Sequence, residues 1–116
     1  GGYMKRLGPL VLAHYKGRIL NTHPALLPKY GGQGMYGDNV HAAVLASGDK
    51  VSGATVHLVE GDYDTGPIIS QIEVPVLEDD PVESLRDRVQ AAEREHYVTV
   101  LQKIAAGEIR LEGLAR

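Results

Sequence analysis

The sequence of 116 residues lacks cysteine, tryptophan and phenylalanine, and its only aromatic residues are six tyrosines. The absence of cysteine excludes disulfides and thiolate metal sites, and it fits a reducing compartment. No apolar run approaches the roughly 20 residues that a membrane helix needs, and no signal-peptide pattern opens the chain. A net charge of −3 argues against a nucleic-acid surface, which needs clustered lysine and arginine. We therefore expect a cytoplasmic protein with neither membranes nor nucleic acids as partners.

The composition predicts a packed core in a single domain, or in part of one. Hydrophobic residues make up 43% of the chain, so the core consists mostly of valine, leucine, isoleucine and alanine. The opening Gly1-Gly2-Tyr3-Met4 is not an initiator context. We therefore expect residues 1–116 to be a piece of a longer protein.

The hydrophobic periodicity predicts helices and strands that alternate along the chain. The predicted elements, in order, are a helix over about 9–15, a strand over 18–21, a helix over 38–47, strands over 54–59 and 68–76, a helix from 81 to about 106, and a short strand over 109–112. The strands over 54–59 and 68–76 are joined by one short loop, which favours antiparallel pairing.

The helix ends carry the expected capping residues. Asp38 and Asp80 are predicted N-caps, Pro81 suits the first helical position, and Gly48 stops the first of the two helices. His41, in the first turn of that helix, is expected to be a surface or capping residue.

Asn21-Thr22-His23-Pro24-Ala25-Leu26-Leu27-Pro28 is the stretch most suited to chemistry. A strand places residues i and i+2 on the same side, so the polar groups of Asn21 and His23 can point at one spot. Pro24 biases His23 toward an extended backbone. The stretch is also compatible with a plain strand end that carries one surface histidine.

The following segment, residues 29–37, contains four glycines and is predicted to be a mobile loop. It covers a substrate or serves as a tight linker, since it lacks the strand and helix context of a phosphate-binding loop. Glu93 falls at the edge of the apolar stripe of the long helix, one turn before Tyr97. A carboxylate there either reaches water or faces a site, because burial without a partner is unfavourable.

Five polar residues can be combined into a site: Asn21, His23, His57, Asp62 and Asp64. No serine or cysteine lies in a nucleophile motif such as GxSxG, which disfavours covalent acyl-enzyme chemistry. The spacings match no metal motif, so we expect no metal. Direct transfer between two bound substrates fits better: an amide stabilises an oxyanion, a histidine moves a proton, and an aspartate orients the histidine.

Two motifs together resemble the folate-dependent formyltransferases. They are the Asn-x-His-Pro-x-Leu-Leu-Pro of residues 21–28 and the Asp-x-Gly-Pro-Ile-Ile of residues 64–69. The resemblance runs from Tyr3 to about Ile109. Within the family it is nearest the branch that acts on glycinamide ribonucleotide. The branch acting on methionyl-tRNA usually has an arginine-rich stretch where this chain has residues 29–37.

The resemblance implies both a fold and an activity. The fold is α/β, the carboxyl-terminal part of a formyltransferase fold with a mixed sheet flanked by helices, and residues 1–116 form its catalytic and folate-binding part. The activity is transfer of a formyl group from 10-formyltetrahydrofolate to the amine of glycinamide ribonucleotide, in de novo purine biosynthesis.

Site residues follow from the resemblance by matching position to position. The catalytic residues are Asn21, His23 and Asp64. The folate-binding residues are Met4, Lys5, Arg6 and Leu7 at the pterin and Val59, Glu60, Gly61, Asp62 and Tyr63 in a loop. The residues that bind the ribonucleotide are Pro24, Gln90 and Glu93.

The resemblance also implies an amino-terminal nucleotide-binding βαβ half, which has no counterpart within residues 1–116. We therefore expect the isolated chain to be weakly active or inactive, and to be completed by that missing half or by forming a homodimer. Two other readings stay open. One is a folate-binding module without turnover; the other is a formyltetrahydrofolate hydrolase, which usually carries a second histidine where this chain has Pro24.

Overall fold

The computed structural model describes residues 10–12, 19–32, 34–59 and 66–111, and the structural statements below concern these residues. In chain order they form strands β1 (Leu10–Leu12) and β2 (Ile19–His23), helix α1 (Asp38–Ser47), strands β3 (Val51–Leu58) and β4 (Ile68–Pro75), and helix α2 (Val82–Ala105). None of the helices in this part of the chain is both long and apolar enough to cross a membrane.

The four strands form one sheet in the order β1-β2-β3-β4, and every described pairing is antiparallel. Asn21 lies opposite Leu10 on one side and opposite His57 on the other, so β2 is an interior strand of this sheet. The predicted antiparallel pairing of the strands now seen as β3 and β4 is confirmed.

The predicted helix over 9–15 is wrong where the structure can test it. Leu10–Leu12 form β1 and pair in register with β2, with Leu12 opposite Ile19. Three consecutive apolar residues fit a buried strand as well as a helix, and the available strand partner decides between them. Residues 9 and 13–15 lie outside the described residues.

Helix α1 ends as predicted but begins with a different cap. Gly48 adopts the left-handed conformation that stops the helix, with φ of 79°. The N-cap is Gly37, and Asp38 is the first helical residue, where its carboxylate pairs with Arg86 of α2 at 3.3 Å. His41 is only 2% exposed, so its predicted surface or capping role is wrong: it lies beside Val40 and Val44 on the buried face of α1.

Helix α2 begins at Val82 with Pro81 as its N-cap, one residue later than predicted. Asp80 does not cap it. Both Asp80 oxygens instead accept hydrogen bonds from the Arg88 guanidinium at 2.9 Å, and the backbone N–H of Leu77 donates to one of them at 2.8 Å. The Arg88 guanidinium and the Ser84 hydroxyl hold the pKa of Asp80 well below its usual range.

Helix α2 packs on β3 and β4, and α1 packs against α2. The core has two clusters of buried residues. The first contains Leu20, Val56, Leu58, Tyr97, Val100 and Leu111, and the second contains Ala25, Tyr30, Val40, Val44, Val74, Leu85 and Val89. Residues 109–111 belong to no strand, so the predicted final strand is wrong within the part described. Leu111 nevertheless belongs to the first cluster.

Candidate active site

The last residues of β2 place two predicted site residues in the interior. Asn21 is 1% exposed and His23 is 3% exposed. Alternation along the strand gives both residues the same side, with Thr22 on the other. The apolar Leu20 and the sheet pairing on both sides of β2 explain why such polar groups are buried here.

Asn21 contacts a histidine on the neighbouring strand. The Nδ1–H of His57 donates to the backbone oxygen of Leu58 at 2.9 Å, so Nε2 of the neutral ring is an acceptor. The Asn21 amide Nδ2 lies 3.5 Å from that Nε2 and donates toward it. His57 therefore orients the Asn21 amide. A primary amide has two N–H donors, so this bond is compatible with donation to an oxyanion.

From its residue type, His57 was predicted to be one of five polar residues that could form a site, with no role of its own. Only the register of β2 against β3, which puts Asn21 opposite His57, brings the two side chains together. Residues 36 positions apart carry no sequence signal for that register. The alternation that places His57 and Thr55 on one face of β3 was the only available clue.

The imidazole of His23 is held by the turn that follows the strand. Its Nε2–H donates to the backbone carbonyl of Tyr30 at 2.7 Å. A carbonyl can only accept, so Nε2 carries a proton and Nδ1 is the nitrogen at which the neutral ring can gain one.

The turn between these two residues is fastened to the sheet by polar side chains. The Thr55 hydroxyl donates to the Ala25 carbonyl at 2.8 Å and accepts from the Leu27 N–H at 3.2 Å. Gln71 donates its Nε2–H to the Leu27 carbonyl at 2.9 Å. The Ala25 carbonyl and both backbone groups of Leu27 are therefore paired, and side chains of β3 and β4 hold the turn in shape.

Glycine is required at position 53 for the same turn to lie on the sheet. A Cβ atom at Gly53 would stand 2.1 Å from the Ile72 backbone oxygen and 2.6 Å from Cδ2 of Leu26. Real Cβ atoms do not approach other atoms so closely. The absence of a side chain therefore lets Leu26 settle on β3.

Glu93 meets the site from α2. The Thr22 hydroxyl donates to its Oε2 at 3.1 Å, across the sheet from Asn21. Burial raises the pKa of Glu93 from 4.5 to about 6, and the bond from Thr22 and the nearby His23 offset only part of that rise. Gln90, one turn earlier on α2, is exposed. The Glu93 carboxylate was predicted either to reach water or to face a site. It is largely buried and contacts the end of β2 through Thr22.

Most predicted folate-binding residues lie outside the described residues, so the structure says nothing of them: Met4, Lys5, Arg6, Leu7, Glu60, Gly61, Asp62 and Tyr63, together with the predicted catalytic Asp64. Val59 is described: it directly follows β3, and its N–H donates to the carbonyl of Ile19, the first residue of β2, at 2.8 Å. The structure therefore places Asn21 and His23 on one side of β2, with Pro24 next in the chain, and joins Glu93 to Thr22 on the other side, within electrostatic reach of His23. The folate-binding assignment remains a prediction.

Comparison with known proteins identifies this arrangement as part of a larger class. The family model described as "Formyl transferase" matches residues 1–101. The chain therefore belongs to the formyl transferase family.

Among curated relatives, the phosphoribosylglycinamide formyltransferase of Mycobacterium tuberculosis is 45% identical over 112 residues, which cover 97% of this chain and 50% of the relative. A solved structure of phosphoribosylglycinamide formyltransferase from Bacillus halodurans superposes with a TM-score of 0.71 at 37% identity, covering 97% of this chain and 56% of that one. These similarities confirm the predicted α/β fold as part of a formyltransferase fold.

A second kind of enzyme has a similar structure. A formyltetrahydrofolate deformylase from Pseudomonas syringae gives a TM-score of 0.69 at 26% identity, covering 81% of this chain and 30% of that one. The chain spans about half or less of the curated relatives it matches. Family membership is thus established, whereas the activity of a whole protein requires a separate argument.

Proposed function

We propose that this chain supplies acceptor-binding and catalytic residues for formyl transfer from 10-formyltetrahydrofolate to the amine of glycinamide ribonucleotide, a step of purine biosynthesis. The observation that carries the proposal is the buried pair at the end of β2. Asn21 is oriented by His57, and His23 is oriented by Tyr30, in a chain of the formyl transferase family.

The reaction needs two things that these side chains can provide. The substrate amine attacks the formyl carbon, and negative charge develops on the formyl oxygen, where the Asn21 amide N–H can donate. The amine must then lose a proton and the departing folate nitrogen must gain one. His23 is suited to move that proton through Nδ1, since Nε2 is bound to the Tyr30 carbonyl.

The acceptor is expected to lie near Glu93. Its carboxylate is held by Thr22 within electrostatic reach of His23, and such a group can accept hydrogen bonds from ribose hydroxyls. Gln90, exposed on the same helix, is positioned to add a second polar contact. Pro24 directly follows the catalytic histidine and would line the acceptor side. These assignments agree with the family resemblance.

Asp64 is proposed to orient His23 and help to move protons through water. The substitution Asp64→Asn should lower kcat far more than folate affinity, because an amide cannot take up the proton. Steady-state kinetics and a folate-binding titration measure the two quantities. A comparable loss in both would assign Asp64 to binding. The isolated 116 residues are expected to turn over weakly or not at all, which the same assay tests against a longer form.

Hydrolysis of the folate is the second candidate, favoured by the similarity to the deformylase. The two functions differ in whether water or an amine accepts the formyl group. Supplying 10-formyltetrahydrofolate with and without glycinamide ribonucleotide separates them, since formate release without the amine is hydrolysis. Folate binding with neither product would indicate a module without turnover. Cytoplasmic location and the absence of a metal remain predictions.

A further inference from the structure

The residue that holds the His23 imidazole is itself anchored at a distance from the site. Tyr30 accepts the Nε2–H of His23 through its backbone carbonyl, at 2.7 Å. Its side chain extends away to the carboxyl end of α1. There its hydroxyl donates to the carboxylate of Asp49, and the oxygen of Ser47 lies 2.7 Å from it. A chain of hydrogen bonds therefore links Asp49 to the imidazole.

Asp49 is well suited to be the fixed end of this chain. It follows the left-handed Gly48 that stops α1, and its backbone N–H donates to the Ser47 hydroxyl at 3.1 Å. The Tyr30 hydroxyl and the Lys29 ammonium group, which is 2.9 Å away, lower the pKa of Asp49. A charged acceptor makes a stronger hydrogen bond than a neutral one.

Packing alone does not explain these bonds. Tyr30 is 8% exposed and lies in the core cluster with Ala25, Val40 and Val44. A phenylalanine ring would fill the same space. The hydrogen bond between the Tyr30 hydroxyl and the Asp49 carboxylate instead restricts the rotation of Tyr30. Thr55 separately holds the backbone of the preceding turn at Ala25 and Leu27.

We propose that Tyr30 and Asp49 are positioning residues for His23: the Asp49–Tyr30 hydrogen bond holds the Tyr30 carbonyl in place, and the carbonyl presents the imidazole with Nδ1 as the proton-exchanging nitrogen. The expected effect on turnover rests on the proposed function. The series of hydrogen bonds from Asp49 through Tyr30 to His23 is observed independently of that function.

The test uses Tyr30→Phe, Asp49→Asn and the double variant in the full-length protein, with 10-formyltetrahydrofolate and glycinamide ribonucleotide as substrates. We expect each single variant to lower kcat by roughly 10-fold and to leave both KM values within about twofold, because misplacing a catalytic group by a fraction of an ångström acts on the chemical step. The double variant should lose no more kcat than the worse single variant, since both substitutions break the same series of hydrogen bonds. Asp87→Asn, an exposed carboxylate on α2, is the matched control.

A second measurement does not depend on turnover. Proton–nitrogen correlation spectra of the imidazole rings should show His23 protonated on Nε2 in the parent protein, and its signals should shift or broaden in Tyr30→Phe and Asp49→Asn while the other histidines keep theirs. Unchanged His23 signals would overturn the proposal. So would an unchanged kcat, or a kcat loss that is matched by a rise in KM and a fall in unfolding free energy. If the parent protein transfers no formyl group yet the His23 signals move, the positioning chain is supported and the proposed function fails.

Discussion

Replacing Glu93 with glutamine should stabilise the protein at neutral pH while impairing its proposed function. Glu93 lies on α2 with its Oε2 3.1 Å from the Thr22 hydroxyl, and no ion pair within the described residues compensates its burial. A glutamine has the same size and keeps an oxygen acceptor for Thr22. The substitution therefore removes a charge and little else.

The magnitude follows from the pKa of Glu93. Burial raises it from 4.5 to about 6. A rise of about 1.5, at about 1.4 kcal/mol per pKa unit, means that ionised Glu93 destabilises the folded state by about 2 kcal/mol. Because the folded pKa is the higher one, the favourable contribution is fully present below 4.5 and is lost as the pH rises through about 6.

Urea unfolding of the parent and of Glu93→Gln, at about pH 4 and about pH 7.5, measures the difference. At the higher pH the variant should be more stable by up to about 2 kcal/mol, and at the lower pH the two proteins should be nearly equal. Glu95→Gln, at an exposed position of the same helix, is the control, and it should change stability by less than about 0.5 kcal/mol at either pH. Equal stability of parent and Glu93→Gln at pH 7.5 would show that the burial of ionised Glu93 does not destabilise the folded state. In the kinetic assay, Glu93→Gln should raise the KM for glycinamide ribonucleotide and leave that for the folate unchanged.

Two further predictions concern stability alone. Gly53→Ala should destabilise the fold by roughly 3 kcal/mol, as measured by urea unfolding, because the new Cβ would clash with the Ile72 carbonyl. That carbonyl cannot move without breaking the β3–β4 pairing. A loss below about 1 kcal/mol would contradict the close approach. Burial lowers the pKa of His41; Asp38 opposes this effect, and Arg86 and His23 add to it. The contribution of His41 to the stability of the fold is therefore fully present above the unfolded pKa near 6.5 and is lost as the pH falls below it. His41→Leu should therefore reduce the fall of stability between pH 7 and 5, by up to about 1.4 kcal/mol per pH unit. An unchanged slope would show that folding does not lower the pKa of His41.

The elements that were predicted well are those whose signals are local. The strand now called β4 was bounded by a glycine-containing loop and a proline, and α2 has Pro81 before it and Gly107 after it. Such boundaries depend on backbone preferences that each residue carries with it. Asp80 shows the limit of this reasoning. Its carboxylate satisfies the capping pattern, yet Arg88 two turns on is a stronger partner than the helix N–H groups.

The features that were missed depend on partners distant in the chain. Leu10–Leu12 became a strand because β2 was available beside it, and no residue within that segment reports this. The burial of His41 depends on α2 packing against α1. Within the candidate site, Asn21 and His23 were found from their spacing on one strand, whereas the roles of His57 and Tyr30 required the register of β3 and the path of the turn.

The order of the strands in the sheet also bears on how the site forms during folding. Each strand pairs with the next one along the chain, so β3, β4 and α2 can associate through local contacts. The pairing of Asn21 with His57 instead closes a segment of 36 positions that contains all of α1. Loop closure is slower for such long-range pairs. The hydrogen bond that orients Asn21 therefore forms after β3, β4 and α2 have associated, whereas the bond that holds His23 joins residues only seven positions apart and can form locally. The two halves of the candidate site are thus prepared at different stages of folding.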